Sequence, residues 1–285
     1  MFSYFVGGLA ILLFLSNPIT QYLYPQASTS RRRNLSPHPQ LNESLLAINH
    51  PNDTLPECPP DGYIAHILKT EPLVVYLENF LSESERSHLL EISEPLFEPS
   101  TISNDGHATR RDTSIRDSSV AIVPRDPTVL CIEQRALSLQ GWRRDMYLER
   151  LRTQRYGPGG HYAHHFDWTR NAAGWGRVSS FMAWVHADED LAGGGTEFPM
   201  LRARSGGKGD VCRFVECEEE DEEGKESGED QQEKGTVFKV KPGNAVYWEN
   251  FSPDGRGYDE TWHAALPVEK GVKVGLNIWT FGRIE

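Results

Sequence analysis

From Arg150 onward, apolar residues fall at every second position in short runs broken by Gly and Pro. That period belongs to β-strands with one buried face. The runs are ERLRTQRYG, GHYAHHFDW, VSSFMAWVHA, GTEFP, GTVFKVKPG, NAVYWEN, DETWHAALPV and GVKVGLNIWTFG. Many short strands at regular spacing predict an antiparallel sandwich or barrel. Upstream, Leu73–Leu77 reads as a strand. Ser82 with Glu85 three residues on forms a capping box, and Leu89, Leu90 and Ile92 give that helix an apolar stripe. A second helix is predicted from Asp126 as cap and Pro127 at its first position, with Val129, Ile132, Leu137 and Leu139 on the buried side. Two helices ahead of the strands would cover one sheet. Residues 100–119 are polar and read as a loop. The predicted fold class is mainly β with flanking helices.

The N-terminal end differs. Phe2–Leu15 is apolar for 14 residues, and the stretch continues to residue 24. Residues 1–24 are read as a signal anchor or signal peptide, and residues 25–62, rich in Pro, Ser and Asn, as a flexible linker. Arg31, Arg32 and Arg33 follow the apolar core, which favours a cytosol-facing domain. Of the four sequons, those at Asn34 and Asn250 are followed by Pro and are poorer acceptors, and the pair at Asn42 and Asn52, in the linker, favours a glycoprotein in the endoplasmic reticulum, held at the membrane or free in the lumen. The expectation is a single N-terminal anchor in that membrane, with the cytosol-facing arrangement as the alternative.

Charge is concentrated. The net charge is −12, and Glu216–Glu233 alone holds eleven acids against one Lys, which is −10. This acidic insertion reads as a solvated surface loop. No basic stripe with interleaved aromatics points to nucleic acid. Cys58, Cys131, Cys212 and Cys217 show no zinc spacing. Two disulfides would be possible in an oxidising compartment, with Cys212–Cys217 as the local pair.

Chemistry centres on His165-Phe166-Asp167. On a strand, residues i and i+2 share a face, so His165 and Asp167 can reach one metal ion. His263, 96 residues beyond Asp167, adds a second imidazole. Two imidazoles and one carboxylate form the facial set that holds non-haem Fe(II) and leaves positions open. In the last strand Val272, Val274, Leu276 and Ile278 alternate with Lys273, Gly275, Asn277 and Trp279. One face should pack on the helices. On the other, inside a barrel, Lys273 needs an anion such as a dicarboxylate. Gly193-Gly194-Gly195 before Thr196 allows close backbone approach. A zinc hydrolase could use the same three ligands but lacks a placed general base.

These segments together resemble the catalytic domain of the prolyl 4-hydroxylases, which are Fe(II)- and 2-oxoglutarate-dependent dioxygenases. RYGPGGHYAHHFDW is similar to the family's Tyr-Gly-x-Gly and Tyr-x-x-His-x-Asp segment. GGGTEFP, VKPGNAVYWEN and HAALPVEKGVK are similar to its later motifs. The resemblance runs from Leu73 to the C-terminus. It implies a double-stranded β-helix, or jelly roll, with a catalytic domain over 63–285, a core over 150–283 and the acidic insertion at 216–233. It implies Fe(II) on His165, Asp167 and His263. It places Lys273, Tyr156 and Thr196 around 2-oxoglutarate, with O₂ as cosubstrate and L-ascorbate as reductant. A peptide or protein containing proline would be the substrate, hydroxylated at C4. Trp184 stands where the family commonly has Tyr and His186 where it has Asn, so both are candidate substrate-pocket residues. Arg111, in a stretch similar to the family's Arg-Thr-Ser region, is a third. The same machinery on another substrate, or a non-catalytic binding module, are the rival readings. Oligomeric state is not legible.

Overall fold

The computed structural model describes residues 42, 44–50, 54–104, 108–169, 174–202, 211–217 and 235–284. The fold is a double-stranded β-helix. Eleven of its strands are labelled here: β1 Ile64–Thr70, β2 Leu73–Glu78, β3 Ser119–Ile122, β4 Arg152–Tyr156, β5 His161–His165, β6 Trp175–Ala187, β7 Thr196–Phe198, β8 Thr236–Phe238, β9 Ala245–Glu249, β10 His263–Ala265 and β11 Lys273–Arg283. Among the described residues the larger sheet has ten strands and runs β1-β2-β9-β6-β11-β4-β3, extended by Glu98–Pro99 at its β3 edge and, off this path, by Met146–Glu149 on β11 and Leu46–Ala47 on Met146–Glu149. The smaller sheet has five and runs β8-β7-β10-β5, with Arg116–Asp117 at the β5 edge.

Helix α1, Glu83–Ser93, starts where the capping box requires. The Glu85 amide donates to Ser82 Oγ at 3.2 Å, and the Ser82 amide donates to Glu85 Oε2 at 2.8 Å. Helix α2, Pro127–Leu139, is capped by Asp126, whose Oδ1 accepts from the Val129 amide at 2.9 Å. Leu89, Val129, Ile132 and Ala136 bury against Phe181, Ala183, Val274, Leu276 and Ile278 of the larger sheet. The predicted apolar face of β11 therefore meets the helices. Arg135 of α2 donates to both Glu85 oxygens, at 2.8 and 3.0 Å, and ties the two helices together. Between the sheets a second cluster packs Tyr76, Met182, Trp184, Phe198, Phe214, Phe238 and Trp248.

Residues 100–119 are not all loop. Ile102–Asn104 pairs with Ala108–Arg110, and Arg116–Asp117 pairs with His161 and Tyr162. These are edge pairings held by backbone bonds, so they carry no alternation of apolar residues. The described part of 25–62 also differs from a flexible linker. Leu46 and Ala47 pair with Glu149 and Leu148, Leu46 is buried, and Cys58 is bonded to Cys131. Cys212 is bonded to Cys217, as the local pair read from the sequence.

The expectation of a single N-terminal anchor in the endoplasmic reticulum membrane is corrected. Among the described residues, no helix is long and apolar enough to cross a membrane. Residues 1–24, on which the anchor was placed, lie outside the described residues, as does most of the acidic insertion. The sequon at Asn250, one of the two followed by Pro, lies in the core. Asn250 is fully buried, and its amide donates to the Arg177 carbonyl and Ser180 Oγ.

Candidate active site

Strands β5 and β10 pair antiparallel with His165 directly opposite His263. Directly opposed residues bring their side chains together, and the two imidazole centroids lie 4.4 Å apart. Strand β5 ends at His165, so Asp167 sits in a bend just beyond it rather than on the strand. The bend still turns its carboxylate towards both rings. Asp167 Oδ1 is 3.7 Å from His165 Nε2, and Oδ2 is 3.9 Å from His263 Nε2. One ligand atom from each of the three residues lies within 4.8 Å of the others. Phe166 turns the opposite way, against Trp168 and Trp262.

Tautomers are set by the backbone. His165 Nδ1–H donates to the Ala163 carbonyl at 2.9 Å and His263 Nδ1–H to the Thr261 carbonyl at 2.8 Å. Both Nε2 lone pairs are thereby left for a metal. Burial, helped by the charge of His263, pushes His165 down to about 3. Burial alone would raise Asp167, but His263, His165 and Arg177 outweigh it and hold its carboxyl below the usual range. Neutral imidazole beside carboxylate is the protonation state a divalent cation requires. Behind them, Trp279 Nε1–H donates to Asp167 Oδ2 at 2.9 Å.

The three residues open on a small cavity of about 30 Å³, also lined by Gln154, Tyr156, Met182, Thr196, Trp248 and Asn277. Lys273 lies on the β11 face that points between the sheets and is fully buried. Its ammonium donates to the Gly194 carbonyl and sits 4.8 Å above the Tyr156 ring centroid. Gly194 has φ +75°, and a Cβ there would lie 3.2 Å from Lys273 Cδ, so the lysine runs along a glycine backbone. Lys273 makes no ion pair among the described residues, and burial lowers its pKa to about 7. Nearby, Thr196 Oγ1, Gln154 Nε2 and Trp248 Nε1 are buried without hydrogen-bond partners. A buried cation beside unpaired polar atoms is costly unless an anionic ligand completes it. The donor set fits a divalent iron at one end and a dicarboxylate reaching Lys273 at the other.

Of the residues singled out from sequence, the structure brings His165, Asp167, His263, Tyr156 and Thr196 onto this cavity and sets Lys273 against Tyr156. It does not bring Trp184, His186 or Arg111 to the lining. Trp184 is buried between the sheets, 6.1 Å from the Tyr76 ring centroid. A register shift between Trp184 and His186 turns His186 outward, to Asp188 Oδ1 at 3.0 Å. Arg111 is exposed, 4.0 Å from Asp117. Sequence reasoning missed Gln154, Met182 and Trp248 in the lining and the hydrogen bond from Trp279. Alternation along β4, two residues before Tyr156, was the available signal for Gln154.

Residues 151–281 match the family model described as the 2OG-Fe(II) oxygenase superfamily. The chain is 25% identical over 221 residues to the prolyl 4-hydroxylase subunit alpha-3 of Homo sapiens, covering 75% of this chain and 34% of that one. It is 26% identical over 223 residues to prolyl 4-hydroxylase 13 of Arabidopsis thaliana, covering 75% and 73%. The chain thus spans about a third of the length of the alpha subunits it matches. The viral collagen prolyl hydroxylase vCPH of Paramecium Bursaria Chlorella virus-1, solved as its 2OG complex, aligns with a TM-score of 0.50 at 20% identity. That alignment covers 73% of this chain and 96% of the viral one and shows the shared fold.

Proposed function

We propose that the chain, whose residues 151–281 match the 2OG-Fe(II) oxygenase superfamily model, acts as such an oxygenase and hydroxylates peptidyl proline at C4. We assign the catalytic domain to 63–285, with its core at 150–283. The observation that carries the reading is the cavity itself. It sets two imidazoles, their Nε2 atoms turned to the same point, and a carboxylate at one end, near a buried lysine that has no counter-ion among the described residues. His165, Asp167 and His263 would hold Fe(II), and Lys273 with Thr196 would hold the far carboxylate of 2-oxoglutarate. Iron and 2-oxoglutarate, when bound, supply an O₂-derived oxidant that places one oxygen on the substrate while 2-oxoglutarate leaves as succinate and CO₂.

The chain's own residues orient and dry the site. The Nδ1–H bonds to Ala163 and Thr261 fix both imidazole planes, and Trp279 fixes one oxygen of Asp167. Buried Phe198 stacks on His263 at 5.2 Å, and Trp248 stands edge-on to the same ring at 5.0 Å. Both exclude water from one side. On the other side Tyr162 stacks on His165 at 3.7 Å, with the Arg116 guanidinium 4.6 Å from the tyrosine centroid. The names of the curated relatives support proline as the substrate side chain.

The test is mass spectrometry of proline-rich peptides incubated with protein, Fe(II), 2-oxoglutarate and ascorbate. One added oxygen on proline is expected, and none with His165→Ala. Succinate release that no proline peptide stimulates would instead favour the same machinery acting on another substrate.

A further inference from the structure

Gln154 is nine-tenths buried and more, on β4, and faces the cavity. Its two polar ends have different fates. Oε1 accepts from the Tyr156 hydroxyl at 2.6 Å. Nε2 has no partner and is shut off from solvent. An amide nitrogen carries two N–H donors, and leaving them buried and unmet is unfavourable.

Tyr156 is in the opposite situation. A phenol has one proton, and Tyr156 has given it to Gln154. The hydroxyl oxygen also feels Arg116 and Ser118, which oppose the upward push of burial on its pKa. It has no second proton to offer a ligand. The residue with unused donors is Gln154.

Register places those donors. Tyr156 pairs with Lys273 across β4 and β11, and Gln154 pairs with Gly275, the next inward position after Lys273. Gly275 has no side chain, and Met182 fills the space over it. Gln154 therefore lies one step along the cavity from the lysine, towards the three candidate metal ligands. Accepting a hydrogen bond at Oε1 also polarises the amide and strengthens its N–H donors.

We propose that Gln154 Nε2, rather than the Tyr156 hydroxyl, donates to the distal carboxylate of the bound 2-oxo acid, with Tyr156 acting as a positioning residue that holds the amide. This rests on the 2-oxoglutarate reading of the cavity. It adds a binding residue specific for a ligand with a second carboxylate.

The experiment is calorimetric titration of 2-oxoglutarate into the full chain loaded with Mn(II), repeated with 2-oxobutyrate, which lacks the distal carboxylate. Gln154→Met keeps the chain length and removes both donors. It should raise the Kd for 2-oxoglutarate about tenfold, the scale of a lost hydrogen bond to a charged group. The Kd for 2-oxobutyrate and for Mn(II) should stay within twofold of wild type. Tyr156→Phe should weaken 2-oxoglutarate less than Gln154→Met does, and should add little in the double variant. Gln154→Leu also removes both donors, adds no charge, and carries the same comparison if Gln154→Met does not fold. The proposal is overturned if Gln154→Met binds 2-oxoglutarate as tightly as wild type, or if both ligands weaken alike. A wild-type protein that binds neither ligand would sink the functional reading itself.

Discussion

The Trp279 indole N–H and the Asp167 Oδ2 oxygen are 2.9 Å apart, so one oxygen of the candidate metal ligand is held by a side chain on β11. The Arg177 guanidinium lies 3.9 Å from the Trp279 centroid and is itself held by Glu149 at 2.5 and 2.9 Å. Such partners orient a ligand, and losing one typically weakens metal binding about 10–100-fold. Trp279→Phe keeps an aromatic ring on the Arg177 side and removes the donor together with part of the indole. The expected result is a Co(II) affinity reduced at least tenfold with a changed visible spectrum, in a protein that melts within a few degrees of wild type. An unaltered spectrum and affinity would contradict the role given to Trp279.

The two disulfides should differ in what they contribute. Cys58–Cys131 closes 73 residues and pins the segment before β1 onto α2. Cys212–Cys217 closes five. In the chain-entropy account the longer loop is worth about 4 kcal/mol and the shorter about 2 kcal/mol. Cys58→Ser should therefore lower the melting temperature more than Cys212→Ser. The reverse order in thermal melts would show that the 211–217 turn, which places Phe214 against Tyr76 at 4.2 Å, matters more than loop length.

What was legible in the sequence follows from what each signal encodes. Period-two alternation and two helix caps are local, so β11, α1 and α2 could be read directly. The histidine pair was legible because metal ligation needs those atoms and little else. The i, i+2 argument reached the right pair by an imperfect route, since Asp167 lies past the end of β5. Bulges and edges were not legible. The register shift that turns His186 away from the cavity depends on pairing with β11, not on local pattern. Gln154 and Trp279 were hidden for another reason. Their roles come from a hydrogen bond made or left unmade in three dimensions, and a glutamine or tryptophan in a strand carries no mark of that.

Asn250 should remain unglycosylated in the folded protein despite its sequon. Its amide donates to the Arg177 carbonyl at 3.0 Å and to Ser180 Oγ at 3.1 Å, and no part of the residue reaches solvent. Asn250→Ala leaves a buried carbonyl unpaired and should cost about 1–3 kcal/mol. Thermal or urea unfolding measures the loss, and an intact-mass spectrum of protein from a glycosylating host measures the first claim. A glycan on Asn250 would mean that the chain is modified before this core closes.

Lys273 predicts opposite pH dependences for the ligand-free fold and for ligand binding. Burial lowers its pKa from 10.5 to about 7. The unfolded chain therefore holds more protons than the folded one between those values, and stability rises with pH across that window. This contribution is fully present above 10.5 and is lost as pH falls through about 7. A dicarboxylate needs the charged lysine, so binding draws a proton back onto it. Affinity for 2-oxoglutarate should be strongest near and below pH 7 and should fall as pH rises, by up to about tenfold per unit. Calorimetry of the Mn(II) protein at pH 8 in two buffers of different ionisation enthalpy should show net proton uptake. Lys273→Met should weaken binding at pH 7 and abolish both the uptake and the slope. A Kd that stays flat from pH 7 to 9 in the wild type, or a slope that survives in Lys273→Met, would remove Lys273 from the carboxylate.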